Sequence, residues 1–135
     1  MFRTLNITAS GLAAQRLRMD TIAGNIAHSH TTVDEQGQVS PFQRRMVVFE
    51  ADAANSRGPR GVGVASHVET DTTSLPRRIH DPGHPHADPQ GYVTYPNINV
   101  IHEFVNALEA TRAYEANLST MQITRNMIDS SFRLL

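Results

Sequence analysis

The sequence predicts an α+β fold that is mainly α: long N- and C-terminal helices paired in coiled-coil fashion, with a small central β-containing segment. Three observations predict it. All seven prolines lie between Pro41 and Pro96, no glycine follows Gly91, and apolar residues recur in alternating steps of three and four at both ends of the 135-residue chain. Proline and glycine break regular structure most strongly, so proline-free ends read as helices and the centre as turns and strands. The chain divides accordingly into an N-terminal helix over 1–30, a central hairpin and loop region over 31–96 and a C-terminal helix over 97–135.

In the first segment Phe2, Leu5, Ala9, Leu12, Arg16, Met19, Ala23 and Ile26 follow the spacing of a coiled-coil seam, with one place taken by a charge. This helix is weak on its own. Thr4, Asn6, Thr8, Ser10, Gly11, Thr21, Gly24 and Asn25 have low to moderate helix propensity, so it is expected to become ordered when it finds its partners.

In the centre Val62, Val64, Ser66 and Val68 alternate with Gly63, Ala65, His67 and Glu69, the period of a half-buried strand. Residues 42–50, around Met46-Val47-Val48-Phe49, make a second strand, and the loop chemistry of 55–61 between them suggests a hairpin. A third short run, 92–95, follows a turn-rich stretch over 81–89.

The C-terminal pattern is the cleaner one. Val100, Phe104, Ala107, Thr111, Tyr114, Leu118, Met121, Arg125, Ile128, Phe132 and Leu135 keep the three-four alternation, broken only by Thr111 and Arg125. Asn97 and Asn99 both suit the N-cap, where an amide oxygen accepts a first-turn N–H. The centre is short of large apolar residues to cover two such stripes, which leaves apolar surface for other copies. The candidate subunit-interface residues are Leu5, Ala9, Leu12, Arg16, Met19, Ala23 and Ile26 at one end. At the other they are Val100, Phe104, Leu108, Tyr114, Leu118, Met121, Arg125, Ile128 and Phe132. Arg16 and Arg125 are expected either to select register against a neighbour's carboxylates or to reach past the seam to solvent.

Composition narrows the chemistry. Twelve basic residues stand against thirteen acidic ones for a net charge of -1, which disfavours nucleic acid as a partner. All twelve are Arg, so Schiff-base and P-loop lysine chemistry is excluded. There is no cysteine, hence no disulfide, thiol nucleophile or zinc ribbon. No run approaches the roughly 20 apolar residues of a membrane span. The first 30 residues lack the unbroken apolar stretch of a secretory signal, so the start is expected to be retained.

His80, Asp81, His84, His86 and Asp88 could wrap a zinc or nickel ion, though a proline-stiffened solvated turn is the commoner use of such a run. Gly58, Gly61 and Gly63 are in the wrong order for a dinucleotide fingerprint, and no nucleophile elbow places a Ser, His and Asp together. The asparagine triplets at Asn6 and Asn117 lie within expected helices and match the glycosylation pattern by chance. No catalytic site, cofactor, metal or small-molecule substrate is expected.

Ser10-Gly11-Leu12-Ala13-Ala14-Gln15-Arg16, then Ile22-Ala23-Gly24-Asn25-Ile26-Ala27 and Thr31-Thr32, resembles the N-terminal signature of bacterial flagellar rod and hook proteins. Tyr95-Pro96-Asn97-Ile98-Asn99-Val100 and Arg112-Ala113-Tyr114-Glu115-Ala116-Asn117, with Arg44-Arg45 in the centre, extend the likeness over nearly the whole chain. Ser10, Gly11, Gln15, Asn25, Tyr95, Pro96, Asn97, Tyr114 and Asn117 carry it. His28 departs from the family's usual Asn. The resemblance implies a structural subunit of the proximal rod of the flagellar basal body, with the terminal helices in an inner tube and a small β domain outside. It implies helical assembly with other copies and with other proximal and distal rod proteins. It also implies contact with an adapter at the export gate, and passage through the flagellar type III export apparatus into the periplasm without a cleaved signal.

Overall fold

A computed structural model describes residues 2–53 and 63–133. Helix α1 spans Phe2–Ala27, strands β1 Arg45–Asp52, β2 Gly63–Thr70, β3 Arg77–His80 and β4 Tyr92–Tyr95, and helix α2 Val100–Arg133. The fold is α+β and mainly α. The loop expected at 55–61 and the end of the C-terminal stripe at Leu135 lie outside the described residues, as does Val62.

At 1.5 Å per residue, α1 is about 39 Å long and α2 about 51 Å. Of the two candidate caps Asn99 serves: its Oδ1 accepts the N–H groups of Ile101 at 3.0 Å and His102 at 3.3 Å, and its carbonyl accepts from Glu103. Within α1, Thr8 and Thr21 turn their hydroxyls back onto carbonyls three or four residues earlier, which lets polar side chains sit on a packed helix.

The helices run antiparallel, since Asn25 meets Glu103, Arg18 meets Glu109 and Gly11 meets Asn117. The contact points on α1 are spaced by seven residues. Gly11, Arg18 and Asn25 lie one residue earlier than the stripe read from the sequence, of which Met19 also reaches α2, its Sδ accepting from the Thr111 hydroxyl at 3.7 Å. The physical reason is side-chain size. Ala14 and Ala110 are fully buried and a Cβ on Gly11 would stand 3.2 Å from the Asn117 amide nitrogen, so the backbones approach through small residues and leave the larger ones on the flanks.

β1 and β2 form the expected antiparallel hairpin, in the register Val48↔His67. It is shifted two residues beyond the first strand read from the sequence, to Asp52. α1 crosses it diagonally and caps one edge of each strand. Ser10 Oγ accepts the Val64 N–H at 3.0 Å, while the Asn25 amide accepts the Arg45 N–H at 2.9 Å and donates to the Arg45 carbonyl at 2.7 Å. The run at 92–95 is β4, and it pairs with β3, a strand the sequence did not signal because Arg77-Arg78-Ile79-His80 has no apolar period. Gly91, at φ 80°, sits in the turn before β4, where a Cβ would press His80 and Pro82.

The interior is small and mixed. Ala14, Ile22, Val93, Ile98 and Ala110 are buried beside Thr8, Asn25, Ser29, Thr32 and Glu103. Among the described residues no helix is long and apolar enough to cross a membrane.

Candidate subunit interface

The interior joint that positions the surface is built on Glu103. Its side chain is only 1% exposed, and its carboxylate accepts from Arg44 Nη2 at 2.7 Å, Arg44 Nε at 2.8 Å and the Asn25 amide at 3.2 Å. A carboxylate removed from water is tolerated only when it is paired and hydrogen-bonded, as here. One side chain thereby fixes α2 to α1 and to the segment entering β1. Reading the sequence for apolar stripes passed over Glu103; the available signal was the seven-residue series Glu103, Ala110, Asn117.

With that face of α2 turned inward, the opposite one faces solvent. Ile101, Phe104, Val105 and Leu108 are 75%, 57%, 52% and 64% exposed on adjacent turns. Each would contribute on the order of 1.5–3 kcal/mol if moved out of water, and contiguous exposed apolar area of this kind marks an interaction surface. Leu118, Ile123, Met127 and Phe132 continue exposed apolar side chains along α2, whose last turns run beyond the start of α1. Met46, Phe49 and Val68 add exposed apolar groups on the hairpin.

The candidate interface residues fall into two groups. Ala9, Arg16, Ala23, Phe104, Leu108, Leu118, Arg125 and Phe132 are exposed, while Leu5, Leu12, Met19, Ile26, Val100, Tyr114, Met121 and Ile128 are half-buried along the flanks of the helix pair. The motif residues mostly hold the chain's own joints. Ser10 and Asn25 cap the hairpin, Gly11 and Asn117 meet between the helices, and Pro96 is fully buried. The Tyr95 ring lies edge-on to His30 and His84. Gln15 has a buried Oε1 with no hydrogen-bond partner among the described residues. Asn97 is exposed and Tyr114 half-buried. His28 stacks on Phe42 with ring centroids 4.7 Å apart, which anchors the exit from α1.

The histidine-rich turn does not assemble a ligand set. His84 Nδ1 accepts the His86 N–H at 3.1 Å, and His86 Nδ1 meets the Thr32 hydroxyl at 2.9 Å. Asp88 is bound by Arg78 at 2.6 Å and by the N–H groups of Tyr92 and Gln90; these, led by Tyr92, hold its carboxyl below the usual range. Among the described residues no group of three or more metal-binding side chains is placed around a common point.

The model of the flagellar basal-body rod FlgEFG protein C-terminal region matches residues 90–134, which include β4 and all of α2. The flagellar basal-body rod protein FlgC of Salmonella typhimurium is 35% identical over 128 residues, covering 95% of this chain and 92% of its own. That of Aquifex aeolicus is 38% identical over 132 residues, covering 98% and 95%, and that of Bacillus subtilis 36% over 139 residues, covering 94% and 93%. The chain belongs to the FlgC family of flagellar basal-body rod proteins. FlgC proteins are structural rod proteins rather than enzymes, and the function of this chain is structural in the same sense.

Proposed function

We propose that the chain is a subunit of the proximal rod that packs helically against other copies and other rod proteins, and so helps to build a shaft that transmits torque across the periplasm and encloses part of the export channel. The exposed apolar face of α2 at Ile101, Phe104, Val105 and Leu108 carries this reading. It lies opposite the contact with α1, so different surfaces meet different neighbours, and such heterologous contacts build open helical arrays. In this reading 1–30 and 97–135 form the inner tube and 31–96 the outer part. The seven-residue spacing of the α1 contacts supports coiled-coil pairing of the two helices.

The flanking residues Leu5, Leu12, Met19, Met121 and Ile128 would then meet neighbouring helices, with Arg16 and Arg125 setting register. The export-gate adapter and the type III export apparatus are the remaining partners, and passage through the latter uses no cleaved leader. Purified basal bodies from cells expressing a tagged copy test the proposal. The chain should co-purify in stoichiometric amounts and its α2 amides should exchange more slowly there than in the isolated chain. Its absence from the particles would refute the assignment.

A further inference from the structure

The backbone pattern of the hairpin leaves one strand edge open beside a groove. In an antiparallel pair alternate residues direct both backbone polar groups to the partner strand, and the residues between direct theirs outward. The parity is fixed three times over: the Asp71 N–H bonds the Arg44 carbonyl, Asn25 bonds both backbone groups of Arg45, and Ser10 bonds the Val64 N–H. Arg45, Val47 and Phe49 therefore point their N–H and C=O groups away from β2. Asn25 satisfies those of Arg45. Those of Val47 and Phe49 have no partner among the described residues.

Val47 and Phe49 line a cleft of about 400 Å³ together with Arg18 of α1 and Glu103 and Asn106 of α2. An added strand would run about 4.7–4.9 Å from β1. The charge at this edge is uneven. Arg18 and Arg44 are paired to Glu109 and Glu103, but Arg45 sits over the Phe42 ring at 5.2 Å with no carboxylate partner among the described residues. An open edge with outward backbone groups is a template for strand addition, and Arg45, which lines the cleft, offers a guanidinium that a carboxylate on the incoming strand can pair with.

We propose that this groove receives an extended, carboxylate-bearing segment of an adjacent subunit as a third strand on β1. The inference rests on the rod assembly proposed above and names a contact that the helices do not make. A strand seated here would tie the outer part of one subunit to its neighbour and cover the stretch of the β1 edge at Val47 and Phe49 that α1 leaves uncapped among the described residues.

Val47→Pro is the direct test, because it removes an outward N–H and puts a ring in the path of the added strand without touching the ladder to β2. A benzophenone-bearing phenylalanine at position 49 reports the occupant. In purified basal bodies it should cross-link to a peptide of another subunit, identified by mass spectrometry, and Val47→Pro should abolish that product and reduce swimming. Exchange protection of the Met46 and Val48 amides verifies that the hairpin survives the proline. Arg45→Glu, which leaves the backbone alone, should lower the same cross-link by on the order of tenfold. Cross-links to α2 of the same chain alone, or unchanged assembly and swimming in both variants, would overturn the third strand while rod membership stands. If the chain is missing from basal bodies altogether, the parent proposal fails and this one with it.

Discussion

Glu103 and Arg44, 59 positions apart in sequence, meet at 2.7 Å with the carboxylate almost wholly withdrawn from water. Asn25 completes the joint, so three elements that share no local sequence are held by one carboxylate. Removing either charge leaves the other uncompensated. Glu103→Ala is expected to destabilise the isolated chain by about 3 kcal/mol, near the lower end for buried pairs because Arg44 is partly open to solvent. The double variant Glu103→Ala/Arg44→Ala should lose less than the sum of the two single Ala variants. Urea denaturation of the four proteins measures the coupling, and additive losses would contradict a paired joint.

Gly11 and Asn117 set the separation of the helices. The Cβ of an alanine at position 11 would lie 3.2 Å from Asn117 Nδ2, and the end of that side chain can yield by a few tenths of an ångström. Helix propensity favours Ala over Gly by about 0.8–1 kcal/mol. Gly11→Ala is therefore expected to be nearly neutral, and the same change in an Asn117→Ala background to stabilise by close to the full propensity gain. Gly11→Leu should push the helices apart and lower the melting temperature. Thermal melts of the parent, Gly11→Ala, Gly11→Leu, Asn117→Ala and the double variant check this; equal effects of Ala and Leu would exclude a close approach.

These two joints also show how far the sequence was legible. Both helices, the hairpin, β4 and the apolar surplus follow from proline placement and periodicity. The line of contact between the helices did not, because periodicity was read from large apolar residues, whereas the intramolecular contact uses Gly11, Ala14, Asn25, Glu103 and Ala110. β3 was missed for a related reason: all four of its side chains are exposed, and backbone pairing with β4 alone makes it a strand.

Asp71 closes the segment after β2. Its carboxylate accepts from the Ser74 and Thr73 hydroxyls at 2.6 and 2.7 Å and from their backbone N–H groups at 3.1 and 2.9 Å, which hold it well below the ordinary carboxylate range. The hydroxyl of Ser74 is the leading cause, followed by that of Thr73. A depressed folded value means that the turn is stabilised above the unfolded value of about 3.9 and that this contribution is lost as pH falls through the folded value. Carboxyl-carbon NMR of the chain should show Asp71 titrating last among its aspartates as acid is added. Ser74→Ala should raise its midpoint more than Thr73→Val does. The reverse order would contradict the hydrogen-bond assignment.

Leu108 and Ala110 are two residues apart on α2 and point to opposite fates. Leu108 is mostly exposed on the apolar face, whereas Ala110 is fully buried against α1. Leu108 is mostly exposed, so Leu108→Asp removes little internal burial and the isolated chain should keep its stability to within about 0.5 kcal/mol. The same charge would be buried without a partner in a packed array, at a cost large enough to prevent incorporation. Ala110→Leu should do the opposite first: overpacking a full interior costs about 1–3 kcal/mol and lowers the stability of the isolated chain. Denaturation of the purified variants, set beside their recovery in basal bodies, separates folding from assembly. A Leu108→Asp chain that is stable and fully incorporated would show that this face of α2 meets no neighbour.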